Sequence, residues 1–329
     1  MADLALIEQL DQAITAMLAG AAQPETADAG LAALMDIAGK LRDLPDDRFM
    51  ERLGAELGAE SERRVPMSRS TTAGPAVIHA VTPFITVADG EKLIEFLKHT
   101  FRAEEMARHP HGHGGGFVAA LKIGDSDLLI MGDESVRGQE RPAALHVYVK
   151  DCDAVYQRAL EAGATVVGPA DQGFEPADRP WGERAAFMTD SFGNHWNIAT
   201  RFGPNYVPED GRHVRPGLLP RNAPVLIDFL ERAFGAEEVG PRHEVGGRVE
   251  HAFVRIGEVL LEMADAVEEG LRPFGFYLYT DDVDAVYHRA VAAGAVSIAP
   301  PADQPFGDRI AVIQDTFGNQ WIAAKNLGG

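Results

Sequence analysis

Apolar positions recur every three or four residues at the start of the chain, and then the period changes. Ile7, Leu10, Ile14 and Met17 share one helical face, as do Leu31, Leu34, Ala38 and Leu41, and then Phe49, Leu53 and Leu57. This spacing predicts three amphipathic helices within residues 1–62, with Asp46 placed to cap the third. Residues 63–77 have no period and are rich in Ser, Thr, Gly and Pro, which reads as a linker. From residue 78 the apolar period is two. A strand over 81–87, a helix over 89–101 and strands over 117–123 and 128–131 follow one another, the last two joined at Gly124-Asp125. The order then restarts, with a strand over 145–149, a helix over 151–162 and a strand over 165–167. A hairpin of 185–188 and 195–200 closes it at Gly193-Asn194. Residues 78–202 therefore read as two βαβββ units.

The same sentence returns further on. Asp190-Ser191-Phe192-Gly193-Asn194-His195-Trp196 reappears 125 residues later as Asp315-Thr316-Phe317-Gly318-Asn319-Gln320-Trp321. Upstream, Asp153-Ala154-Val155-Tyr156 matches Asp284-Ala285-Val286-Tyr287 at an offset of 131, so the first copy carries six extra residues, near 170–175. A repeat of this length is a duplicated domain. It divides the chain into a helical region (1–62), a linker (63–77), a first domain (78–202), a second linker (203–211) and a second domain (212–329).

Composition narrows the function. With 30 Lys and Arg against 50 Asp and Glu, the formal net charge of −20 disfavours nucleic acid, leaves room for a cationic ligand, and suits solubility. No apolar run approaches a membrane span. The single cysteine, Cys152, excludes an internal disulfide, and Met1-Ala2-Asp3-Leu4 lacks a signal peptide's basic region. Both point to a cytoplasmic protein with no membrane partner.

Paired βαβββ units, Gly-Ala-x-Val after the second helix and Asp-x-Phe-Gly-Asn-x-Trp at the last hairpin resemble the vicinal oxygen chelate superfamily. This is the glyoxalase, bleomycin-resistance and extradiol-dioxygenase group. The loop Pro176-Ala177-Asp178-Arg179-Pro180-Trp181-Gly182-Glu183-Arg184, echoed at 301–309, is similar to its PhnB-like branch. The resemblance implies an α+β protein with two tandem glyoxalase-like domains. Each would be a pair of βαβββ units forming a curved eight-stranded cup, behind the small helical region. In single-domain members two chains often pair their sheets, and a tandem chain could do this within itself.

In family enzymes a divalent metal sits in the cup, held by His, Gln or Glu from the first, fourth, fifth and eighth strands. Carried over, these positions are Thr82, Ile130, His146 and Asn197 in the first domain. In the second they are Arg215, Glu262, Tyr277 and Ile322, and the fourth and eighth placements are good to one residue. Only His146 is a strong metal ligand in the first set. In the second, Arg215 takes a ligand's place, and a guanidinium cannot lose a proton to bind metal. An ion pair between Arg215 and Glu262 across the cup is the alternative.

Other residues are candidates for a bound small molecule. Arg184 and Arg309 share one motif position, suited to an anionic or carbonyl oxygen or to loop architecture. Trp181 and Phe306 suit stacking on a planar ligand, and Tyr148 and Tyr279 share the strand phase of His146 and Tyr277. His251 is a potential general base or a structural strand histidine. His109, His111 and His113 alternate before three glycines, which reads as a hairpin tip ahead of a metal loop.

Three functions follow. One is a small-molecule binding protein of the bleomycin-resistance type with degenerate metal sites. Another is a divalent-metal-dependent lyase, isomerase or dioxygenase working around His146. The third is a sensor or scaffold whose N-terminal helices pair two copies of the chain, the alternative for those helices being a cap on the rest.

Overall fold

The structure is a computed structural model, described here for residues 78–111, 115–167, 173–208, 212–266 and 273–327. The three N-terminal helices and the first linker lie outside the described residues, as do His113 and residues 170–172 of the six-residue insertion.

Four βαβββ units follow one another. Unit I is β1 (Ile78–Val87), α1 (Gly90–Phe101), β2 (Glu104–His111), β3 (Gly116–Ile123) and β4 (Ser126–Gly132). Unit II is β5 (Ala144–Tyr148), α2 (Cys152–Glu161), β6 (Thr165–Val166), β7 (Ala177–Arg179), β8 (Glu183–Thr189) and β9 (His195–Arg201). Unit III is β10 (Val214–Leu218), α3 (Ala223–Phe234), β11 (Glu237–Glu238), β12 (His243–Val245), β13 (Arg248–Ile256) and β14 (Val259–Met263). Unit IV is β15 (Gly275–Thr280), α4 (Val283–Ala292), β16 (Val296–Asp303), β17 (Asp308–Gln314) and β18 (Gln320–Asn326). The two-domain α+β architecture is as the sequence implies.

The pairing of the units is not the within-domain one. One sheet runs β16-β17-β18-β15-β1-β4-β3-β2, joining unit IV to unit I. The other runs β11-β13-β14-β10-β5-β9-β8-β6, joining unit III to unit II. Each sheet therefore takes one unit from each repeat. The junctions are antiparallel, with Thr82 opposite Tyr277 between β1 and β15 and Arg215 opposite His146 between β10 and β5. At the first junction only glycine fits, because a Cβ on Gly275 would sit 2.5 Å from the Phe84 carbonyl oxygen.

The helices hold each repeat together on the far side of the sheets. Arg158 of α2 donates to the Thr100 carbonyl of α1 at 3.0 Å, and Arg232 of α3 to the Ala293 carbonyl beyond α4 at 3.2 Å. Between them lie aromatic clusters, Phe96 and Phe101 against Trp196 in one repeat and Phe234 against Trp321 in the other. Cys152 belongs to this core. Its thiol donates to the Ile198 carbonyl, and burial pushes it up to about 12, so it is not a nucleophile.

The duplicated motif is the hinge pin of each final hairpin. The Asp190 carboxylate accepts from the Phe192 and Asn194 backbone N–H groups, the Asn194 amide and the Trp196 indole, each at 2.9 Å. Asn194 Oδ1 then accepts from the Ala143 N–H, tying the turn to the strand before it. Asp315, Asn319, Trp321 and Phe274 repeat every one of these bonds. The motif builds structure, holding each closing turn through one buried carboxylate.

Candidate functional site

Exchange of units between repeats reassigns the predicted ligand sets. The β1–β15 cup receives Thr82, Tyr277 and Ile322 with the fourth-strand residue of unit I. That residue is Leu129 rather than Ile130. Leu129 stands in register with Phe84, whereas Ile130 pairs with Ile85 and is fully buried on the helix side. This cup is apolar and aromatic, with Phe84 edge-on to Tyr277 and Tyr277 tilted against Tyr279. It has no metal donor at any of the four positions.

The β5–β10 cup receives His146, Asn197, Arg215 and Glu262. His146 Nδ1 lies 3.1 Å from both carboxylate oxygens of Glu262, and Arg215 stands 3.6 Å from one of them. Arg215 also donates to the Tyr148 hydroxyl at 3.1 Å, while the Tyr148 ring stacks on His146 with centroids 4.3 Å apart. The expected Arg215–Glu262 pair is present, and His146 shares it from the other repeat. Burial by itself would raise the Glu262 carboxyl. His146 first, by charge and hydrogen bond, then Arg215 and His251, outweigh that and hold it below its usual value.

Glu183 completes the group and was not visible in the motif reading. It is buried at 7% exposure, its Oε2 lies 3.6 Å from His146 Nε2, and Trp181 donates its indole N–H to it at 3.1 Å. Strand alternation could have found it, since Glu183 and Ala185 share one face of β8 and Arg184 takes the other. For the same reason Arg184 is not a cup residue. Its guanidinium binds Asp153 on α2 at 2.7 Å and Asp178 at 3.0 Å. Arg309 repeats this with Asp284 at 2.8 Å and Asp303 at 2.7 Å. Both arginines strap a loop to the start of a helix.

The remaining candidates divide between sites. Trp181 and Phe306 are exposed at 59% and 66%, Trp181 reaching the polar cup through Glu183. Tyr279 is partly open in the apolar cup. His251, on β13, is exposed beside Phe253 and reaches the polar cup's rim. His109 and His111 are exposed on β2 at the hairpin tip. Among the described residues no three His, Cys, Asp or Glu side chains are grouped to hold a metal.

A cavity of about 260 Å³ opens in the polar cup, lined by His146, Asn197, Glu262 and His251 with Phe174 and Phe187. Two buried polar atoms there, His146 Nε2 and Asn197 Oδ1, have no hydrogen-bond partner. A larger cavity of about 1180 Å³ lies between the two closing turns, near Phe192 and Phe317. Its Asp89 is already paired with Lys92 and Arg137, whereas the smaller cavity is lined by His146 and Asn197.

A tandem protein whose curved sheets pair βαβββ units is thereby defined. The Glyoxalase/Bleomycin resistance protein/Dioxygenase superfamily model matches residues 76–198 and 213–322, and the chain belongs to this family. An uncharacterized protein of Mycobacterium bovis is 33% identical over 129 residues, covering 36% of this chain and 81% of the relative. A second Mycobacterium bovis protein, CFP32, with a provisional glyoxylase designation, is 28% identical over 216 residues. That match covers 63% of this chain and 79% of the relative. Glyoxalase I from Zea mays shares the fold, with a TM-score of 0.58 at 14% identity over 76% of this chain and 93% of its own. Among the described residues no helix is long and apolar enough to cross a membrane.

Proposed function

We propose that the chain binds a small organic molecule in the polar cup and uses no divalent metal at the family's metal position. The observation that carries this reading is the donor set. Of the four inward positions, Arg215 is a fixed cation, and His146 Nδ1 is spent on Glu262. Metal binding needs three or more free donors in open geometry, and a guanidinium in their midst repels the ion. The residues therefore do not fit the family's metal, and no chemistry is routed through one. The cavity beside them has aromatic walls and a few convergent polar atoms, the usual make-up of a ligand site.

Elemental analysis of purified full-length protein, followed by zinc and nickel titration, tests the reading. Metal well below one equivalent, with a melting temperature unchanged by EDTA, is expected. Stoichiometric metal lost in His146→Ala would overturn it and favour the lyase, isomerase or dioxygenase alternative. The pairing of two chains through residues 1–62 is a separate proposal. Deleting these residues should halve the mass seen by light scattering, and an unchanged mass per chain removes it.

A further inference from the structure

Gly217 is a glycine that its own backbone does not require. It stands inside β10, where glycine weakens a strand and marks a bulge or bend, a backbone pressed close, or a ligand. Its φ is not positive. β10 pairs with β14 and β5 without a register shift. A Cβ at this position would come no nearer than 3.6 Å to the atoms around it, the nearest being the Ala144 carbonyl oxygen, which is ordinary contact. Of the reasons for a glycine in this strand, room for a ligand is the one that remains.

That room lies where two cavities meet. Ala144, His195, Gly217 and Leu219 line both the polar cup's cavity and the larger one between the closing turns. Side chains alternate along a strand, so Ala144 shares a face of β5 with His146, His195 a face of β9 with Asn197, and Gly217 a face of β10 with Arg215. The meeting point is thus one step along the same concave face as the polar cluster, and only side chains stand between the two cavities. At 144 and 217 those amount to a single methyl group. The other cup is filled at this end. There Phe84, placed after Thr82 as Gly217 is after Arg215, stands opposite Gly275 with its ring edge-on to Tyr277, and it is 8% exposed.

We infer that the two cavities form one binding site, joined past Gly217, which takes a long molecule with a flat ring at one end and an apolar tail at the other. The ring lies against Phe174 and Phe187 in the polar cup, and the tail runs past Gly217 and Leu219 toward Phe192 and Phe317. This rests on the reading of the cup as a small-molecule site and adds the shape of its ligand and the residue that sets the ligand's length. A single repeat does not build the tail's walls, since Phe192 comes from the first and Phe317 from the second.

Calorimetric titration of the full chain with 4-methylphenol, 4-propylphenol and 4-hexylphenol tests the inference. A phenol hydroxyl both donates and accepts, so the ring end makes no demand on the protonation of the polar cluster. Affinity should rise at least about 2-fold per added methylene, against roughly 4-fold for complete burial. Gly217→Val puts a branched side chain into the opening and should hold the rise below about 1.3-fold per methylene. Should that variant fail to fold, Leu219→Asp, at a position 37% exposed, sets a charge beside the tail and should flatten the rise in the same way. Binding of 4-methylphenol with no gain along the series, or the same gain in wild type and variant, overturns the joined site and leaves the binding cup standing. If none of the three compounds binds, the binding cup falls and the joined site with it.

Discussion

Arg215 occupies the place of a metal ligand, and Glu262 supplies a carboxylate to its positive charge within the cup. Truncating Glu262 to Leu leaves a buried guanidinium facing an apolar stub, and about 3 kcal/mol of stability should be lost in urea titration. The pH dependence has a definite sign. Glu262 is held below its ordinary value of 4.5, so its contribution to stability is present above that pH. It is lost as pH falls through the lower folded value. The stability gap between the wild type and Glu262→Gln should therefore close on acidification, and a constant gap down to pH about 3 would contradict the assignment. Arg184→Ala and Arg309→Ala, by contrast, should leave the pH dependence of the Glu262 contribution unchanged in urea titration, since both guanidinia face helix starts. At this scale the strand phase read from the sequence matches the contacts His146 and Arg215 make with Glu262 and the register of Asn197 with His146. Glu183 escaped because its neighbour Arg184 carried the recognisable motif. Ile130 stood in for Leu129 because four consecutive apolar residues, 128–131, leave strand phase undefined.

Elements were legible wherever local chemistry sets them. Asp151, Asn222 and Asp282 each cap a helix through their side-chain oxygen, as Asp and Asn before an apolar-periodic run should. The Asp-x-Phe-Gly-Asn-x-Trp hairpin is equally local, since one carboxylate gathers four donors within six residues. Replacing Asp190 by Ala strands those donors in a buried turn. A loss of about 3–4 kcal/mol is expected, with the near-ultraviolet signal of Trp196 altered at temperatures where the rest remains folded. Asp315→Ala should cost the same within error, because the second copy keeps every bond. A difference of several kcal/mol between the two would show that the repeats do not share this pin equally. The six extra residues of the first copy explain a visible asymmetry. Unit IV runs one strand over Val296–Asp303, where unit II has the two short strands β6 and β7 on either side of the insertion.

Sheet partnership is the feature that no local pattern reveals, because edge-to-edge pairing depends on which strand arrives and not on its own alternation. Either pairing, within a repeat or between repeats, satisfies the same apolar periods. What decides it is the helix layer. Arg158 on Thr100 and the Phe96–Phe101–Trp196 cluster bind units I and II back to back, so their sheets face different partners. An isolated first repeat, residues 78–202, would therefore expose the junction edges of both β1 and β5. Such edges pair with a second copy when the strands are self-complementary in register. The fragment is expected to run as a dimer in light scattering, β1 of one copy against β5 of the other. That dimer would rebuild two cups without the polar site, since the carboxylate position opposite His146 would be filled by Leu129 instead of Glu262. Co-expression of 78–202 with 203–329 should restore the mixed pairing, read as a one-to-one heterodimer in light scattering. A monomeric, stably folded 78–202 fragment would show that each repeat can close its sheets alone, and that unit exchange is not what brings Arg215 and Glu262 to His146.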